Sequence, residues 1–162
     1  MMKENTTKFL LIIIFSFIIL IVSTLFIEKN FEKYIEMKID RIQYVEDSSI
    51  VFLSHGCYIF SFYTTRSQGE MIEIAIKNIT TQRPLTHDII IEIFKSFGIY
   101  PVSLQIERLE NETYFASLIL KKDLLTISID IRPSDGIAIA SRAKIPIYVN
   151  KKLLTNICVE AL

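Results

Sequence analysis

Residues that could do chemistry gather at two places in the chain. One is the pair His87-Asp88. The other is the corner Asp130-Ile131-Arg132-Pro133-Ser134-Asp135-Gly136, with Arg142 two turns further on. Carboxylates and a histidine brought together could act as general acid and base or hold a divalent metal, with an arginine facing a phosphate. Each group also has a plainer use. Neighbouring residues in the first turn of a helix point in different directions, so His87 and Asp88 are no acid–base pair by themselves. Asp88 suits the helix dipole, and His87 could donate to a nearby carbonyl. Asp130 and Arg132, two apart on a strand, project to one side. Arg132 could also clamp Asp135 around the corner. Spacing alone leaves both uses open. His55, in an expected turn, reads as a polar loop residue.

The elements that must position these groups follow from periodicity. Leu125, Ile127 and Ile129 alternate with polar residues, which predicts a half-buried strand running into Asp130. Pro133 suits the first turn of a helix, Ser134 and Asp135 could serve its free N–H groups, and Ile137 to Ala140 are apolar all round. A buried helix is expected there. Thr86 is the expected N-cap of a second helix, with Ile89, Ile90, Ile93, Phe94 and Phe97 as its buried stripe and Gly98 as its stop. Ser67 to Glu70 has the form of a capping box, followed by a short helix with Met71, Ile74, Ala75 and Asn78 on one face and a Glu73–Lys77 pair. Strands are expected at Ile35 to Ile39, with the phase slipping near Arg41 to Tyr44, and at Ile50 to Leu53 and Cys57 to Tyr63. Val102 to Glu107, Thr113 to Leu120 and the strand ending at Asp130 form a meander. Ile145 to Val149 reads as a short strand and Leu153 to Val159 as a terminal helix. The mixture is α+β.

The chain has 162 residues, enough for one ordinary domain, and 51% of them are apolar. Much of that excess is the run Phe9 to Ile27, broken only by Ser16, Ser23 and Thr24. About 19 residues of helix span roughly 28 Å, near the thickness of a bilayer's hydrocarbon. The run is long for a signal peptide, and Ser23-Thr24-Leu25 makes a poor cleavage site. A retained transmembrane anchor over 9–27 is expected, with membrane as a partner. Lys29, Lys33, Lys38 and Arg41 follow the run, against Lys3 and Lys8 before it, which leans the soluble domain toward the cytoplasm. Lysine plus arginine equals aspartate plus glutamate at 18 each. That balance argues against tight non-specific duplex binding. Two cysteines, Cys57 and Cys158, and two histidines make no zinc pattern; two unpaired buried thiols are expected, with one disulfide the alternative if the domain faces an oxidising compartment.

Several blocks together resemble a known family. They are Arg83-Pro84-Leu85-Thr86-His87-Asp88, Glu112-Thr113-Tyr114-Phe115-Ala116-Ser117-Leu118, the stretch Asp130 to Arg142, and Ile145-Pro146-Ile147-Tyr148-Val149. In order and separation they are similar to the bifunctional nuclease domain family, over roughly Met37 to Val159. The resemblance implies an α+β domain that self-associates and hydrolyses both DNA and RNA. The matching positions are Pro84, Thr86, His87, Asp88, Asp130, Arg132, Pro133, Ser134, Asp135 and Arg142. The chain departs from the family at Thr65-Arg66-Ser67-Gln68-Gly69, where relatives tend to carry acids, at Gly136, where Ala is usual, and in its apolar N-terminal run.

The expectation is a tail over 1–8, an anchor over 9–27, a connector over 28–36 and one α+β domain over 37–162. The domain should hold a mixed or antiparallel sheet and three to four short helices. His87, Asp88, Asp130 and Asp135 are the candidate catalytic groups, and Arg132 and Arg142 the candidate phosphate ligands. Mg²⁺ or Mn²⁺ is a possible cofactor, nucleic acid a possible substrate, and a homo-oligomer the expected assembly. The competing expectation is a non-catalytic, self-associating binding module. A nuclease should gather His87, Asp88, Asp130 and Arg132 around an open cleft. A module should bury Arg132 against Asp135 and leave His87 remote.

Overall fold

The computed structural model describes residues 13–22 and 33–158, which fall into two compact units divided after Tyr34. In the first unit, residues 13–22 are helical and Ser16 Oγ donates to the Ile13 carbonyl, so its hydroxyl is satisfied within the helix. The rest of the expected anchor, 9–12 and 23–27, lies outside the described residues, as does most of the connector. Among the described residues no helix is long and apolar enough to cross a membrane, so the anchor finds no support there.

The second unit is α+β, as expected. Its strands are β1 (Tyr34–Val45), β2 (Ser48–His55), β3 (Tyr58–Thr65), β4 (Tyr100–Glu110), β5 (Thr113–Lys122), β6 (Leu125–Ile131), β7 (Ile147–Asn150) and β8 (Thr155–Asn156). Its helices are α1 (Arg66–Ile76), α2 (Thr86–Ser96) and α3 (Pro133–Ala143), with a 3₁₀ turn at Lys151–Leu153. One mixed sheet runs in the order β6-β5-β4-β7-β1-β2-β3-β8. The expected meander is β4, β5 and β6, all antiparallel. β7 inserts parallel to β4. The phase slip in β1 is a register shift between Ile39 and Arg41.

Apolar residues of both halves meet under α3. Leu104, Ile106, Val149, Val51, Leu53 and Ile137 are among the fully buried core, and Leu118, Leu120 and Ile139 form a second cluster under α2. α3 is buried on nearly all sides, as its composition predicts. At Gly136 a Cβ would meet the terminal methyls of Leu104, so helix and sheet approach closely there.

Several expectations are corrected. Cys57 and Cys158 are paired, with Cα atoms 5.1 Å apart, within the range a disulfide requires. Neither half-cystine is buried. The terminal helix is instead the 3₁₀ turn and β8. The Asn150 side chain accepts from Lys152 N to start the turn, and β8 then pairs with Tyr58 and Ile59 of β3. The capping box of α1 is Thr65 with Gln68, two residues before the expected one. The buried face of that helix is Gly69, Ile72 and Ala75, because Gly69 lets the helix lie directly on Ser49. Leu85, not Thr86, is the N-cap of α2. Of the predicted stripe on α2, only Ile90 and Phe94 pack on the second cluster, while Ile89, Ile93 and Phe97 are exposed.

β6 is a strand but not a half-buried one. Ile129 and Ile127 sit opposite Leu118 and Leu120 of β5 and so share their face. The cover given by α2 ends at β5, and Leu125, Ile127 and Ile129 stay exposed on the sheet's edge.

Candidate active site

The start of α2 meets α3. Asp88 is the third residue of α2, and its Oδ2 accepts from Leu85 N at 2.9 Å. Its Oδ1 faces Arg142 Nε at 3.1 Å. Arg142 also donates to the Ile79 carbonyl, across the loop that joins α1 to α2. This arginine is largely buried, and both its contacts tie α3 to that loop.

Asp135 is the centre of a second string. Its Oδ2 accepts from Arg132 Nε at 2.7 Å. Its Oδ1 stands 3.7 Å from His87 Nε2, an ion-pair distance too long for a hydrogen bond. The His87 side chain is 14% exposed and Asp135 26%, whereas Arg132 is 72% exposed. The string therefore runs from a sheltered imidazole, through a half-buried carboxylate, to a guanidinium in solvent. The imidazole thus sits beside a carboxylate, the kind of pair that acid–base catalysis uses.

Asp130 stays outside the group. It is exposed on β6 and enters no ion pair among the described residues. β6 ends at Ile131, and Arg132 leaves the strand as the N-cap of α3. Asp130 and Arg132 therefore no longer share a strand face. The structure thus brings His87 to Asp135 and Arg132, sets Asp88 with Arg142 beside them, and leaves Asp130 apart.

Among the described residues no three His, Cys, Asp or Glu side chains converge as a metal site. Asp88 and Asp135 each face an arginine. Such a donor set does not fit Mg²⁺ or Mn²⁺, which need several free oxygen ligands.

The start of α3 differs from expectation. No side chain caps it, because Asp135 is turned to Arg132 and His87. Ser134 is 5% exposed and lines a cleft of about 450 Å³. Arg132 lines the same cleft, so one side chain joins the cleft to the string. The opposite wall is the end of β3, including Tyr63, which is 75% exposed. Sequence reasoning did not find Tyr63. The signal was available, since Tyr63 falls on the face of β3 opposite the buried Phe60 and Phe62.

Arg66 and Gln68, where acids were expected, have structural duties. Gln68 closes the capping box with Thr65. Arg66 donates to the Glu46 carbonyl and Glu70, and its guanidinium lies 5.2 Å from the Tyr44 ring centroid. Tyr44 in turn donates to Glu73 at 2.6 Å, and Lys77 holds the same carboxylate at 2.6 Å.

Residues 54–161 match the Bifunctional nuclease domain. The chain belongs to that family. Among its relatives is a Mycobacterium tuberculosis protein, 28% identical over 118 residues, covering 72% of this chain and 70% of the relative. Bifunctional nuclease 1 of Arabidopsis thaliana is 36% identical over 86 residues, 51% of this chain and 26% of the plant protein. Bifunctional nuclease 1 of Oryza sativa subsp. japonica is 34% identical over 89 residues, 53% of this chain and 27% of the rice protein. The chain thus corresponds to about a quarter of each plant nuclease.

Proposed function

We propose that this domain hydrolyses phosphodiester bonds in DNA and RNA, with His87 as the proton-transfer group. The observation that carries the reading is the Arg132–Asp135–His87 string in a member of the bifunctional nuclease family. Asp135 faces the His87 imidazole at 3.7 Å. Arg132, with most of its guanidinium in solvent, binds the phosphate and offsets the charge that builds on it. Water attacks phosphorus, the bond to the leaving oxygen breaks, and a phosphomonoester and an alcohol result. His87 takes the proton from the attacking water or, as imidazolium, gives one to the leaving oxygen. Arg142 and Asp88 hold the two helices in place.

The test is hydrolysis of fluorescent single-stranded DNA and RNA by the full chain, with Mg²⁺, Mn²⁺ or chelator. His87→Ala and Asp135→Asn should each lower the rate by about 10²-fold or more. Equal rates in wild type and both variants would sink the reading.

A second reading has its own observation. Asp135 and Asp88 are each satisfied by an arginine, and apolar side chains stand exposed on α2 and β6. On that reading the string is a fold clamp, and the domain is a self-associating binding module. A folded chain that cleaves neither substrate would favour it.

A further inference from the structure

At one end of the second unit, four exposed apolar side chains stand among lysines. β4 begins there at Tyr100, which pairs with Lys121 of β5. β5 turns through Asp123 and Leu124 into β6, where Leu125 pairs with Lys122. The turn from α2 into β4 brings Phe97 to the same end, since only Gly98 and Ile99 separate it from Tyr100. Phe97, Tyr100 and Leu125 are largely exposed, and Leu124 is fully so. A leucine bared at the tip of a hairpin packs on nothing within the fold, and apolar side chains grouped in this way mark a contact surface.

The lysines are Lys95 in the last turn of α2, Lys121 and Lys122 at the close of β5, and Lys144, the exposed C-cap of α3. β7 runs parallel to β4 with Ile147 beside Leu104, so Lys144 lies toward the Tyr100 end. None of the four enters an ion pair among the described residues, whereas Arg66, Lys77 and Arg108 each hold an acid. Asp123 in the hairpin turn, Glu36 on β1 and Glu92 on α2 offset part of their charge, and Lys38 adds to it, so lysines outnumber acids here. A two-fold contact of this end with a second copy would set like charges against each other. Connectivity points instead to lipid. Glu36 to Ile39 of β1 share a cleft with Lys144 to Ile147, so the chain enters the second unit at this same end. Upstream, residues 13–22 form a helix of exposed apolar side chains, and a helix apolar all round belongs in a core or in lipid. Residues 23–34 join the two and span at most about 45 Å.

We propose that this end of the domain docks on an anionic lipid bilayer. Phe97, Tyr100, Leu124 and Leu125 enter the boundary between headgroups and acyl chains, and Lys95, Lys121, Lys122 and Lys144 face lipid phosphates. Tyrosine favours that boundary, and lysine stems lie along apolar surface while their ammonium groups reach the headgroups. Docking of this kind requires no spanning helix. It also orients the candidate active site. His87 lies in the first turn of α2 and Phe97 follows its last, so the string with Asp135 and Arg132 stands at the far end of that helix, roughly 16 Å along its axis and clear of the lipid.

The chain contains no tryptophan, so a single introduced one reports alone. The experiment is tryptophan emission of the full-chain variant Leu124→Trp with vesicles of phosphatidylcholine, with or without phosphatidylglycerol, and with brominated acyl chains as quencher. Tyr63→Trp, on the face of β3 turned away from the helices, controls for tethering by residues 13–22. On anionic vesicles Leu124→Trp should shift to the blue and be quenched by bromine, and salt should reverse both. Phe97→Trp should do the same, and it serves if Leu124→Trp fails to fold. Adding Lys121→Glu and Lys122→Glu should weaken docking by about 25-fold or more, at about fivefold for each lysine lost. Equal emission from Leu124→Trp and Tyr63→Trp on anionic vesicles overturns the inference, and so does an equal shift on neutral ones. A blue shift that needs no vesicles and grows with protein concentration assigns this end to a second copy and overturns it too.

Discussion

Tyr44 and Glu73 make the chain's clearest single-residue statement about pH. Burial, then the hydrogen bond to Glu73, pushes the Tyr44 phenol up to about 12. Lys77 and then Tyr44 hold Glu73 below the usual carboxylate range. The Tyr44 contribution is whole below its unfolded value of about 10 and is lost as pH rises through the folded one. That of Glu73 is whole above about 4.3 and is lost as pH falls through its depressed value. Phenolate absorbance in an alkaline titration should therefore show one tyrosine ionising later than the rest, and Tyr44→Phe should remove that step. A late step that survives the substitution would refute the assignment. At this scale the site was partly legible. His87, Asp135 and Arg132 announced themselves as charged residues in matching blocks. Asp130 misled, because periodicity places it beside Arg132 only while the strand continues. Nothing local says that β6 stops at Ile131. Ser134 was read as a cap, yet α3 starts without one.

At the scale of elements, close backbone approach decides more than propensity does. Gly69 of α1 lies against Ser49, which is fully buried with an unpartnered hydroxyl. A Cβ there meets Ser49 Cβ as well as its oxygen, and the strand cannot rotate that atom away. Gly69→Ala should therefore lower stability by about 1–3 kcal/mol through overpacking. That exceeds the gain of about 1 kcal/mol that alanine brings to a helix interior. A denaturant midpoint equal to or above wild type would show that β2 yields. At Gly136 the atoms met are the terminal methyls of Leu104, so that contact is the softer of the two. Helix existence and strand alternation were readable because both depend on neighbours in sequence. Helix burial was less so. α2 crosses the sheet so that Ile90, Ile91 and Phe94 meet Leu118 and Leu120, and Ile89 and Ile93 meet solvent. The terminal segment failed for a tertiary reason, since pairing with β3 and the bond to Cys57 override its helical pattern.

At the scale of the whole molecule, the sheet order was out of reach of sequence, because β7 slips between β4 and β1, more than a hundred residues after β1. The open edge at β6 was equally hidden, since its alternation matches that of a covered strand. An exposed edge strand carrying Leu125, Ile127 and Ile129 is a template for pairing with another chain. We propose that the domain self-associates along β6. Ile127→Lys should shift the full chain to a smaller species in sedimentation velocity, and a wild type that is monomeric at tens of micromolar would dispose of the idea. The bond between Cys57 and Cys158 has a separate consequence. With a sequence separation of 101 between its ends, it makes most of the domain a closed ring. His87, Arg132, Asp135, both walls of the cleft and the exposed loop 79–85 all lie within that ring. A protease that nicks the loop therefore releases no fragment, and a nicked molecule keeps every catalytic candidate on one covalent circuit until a reductant opens it.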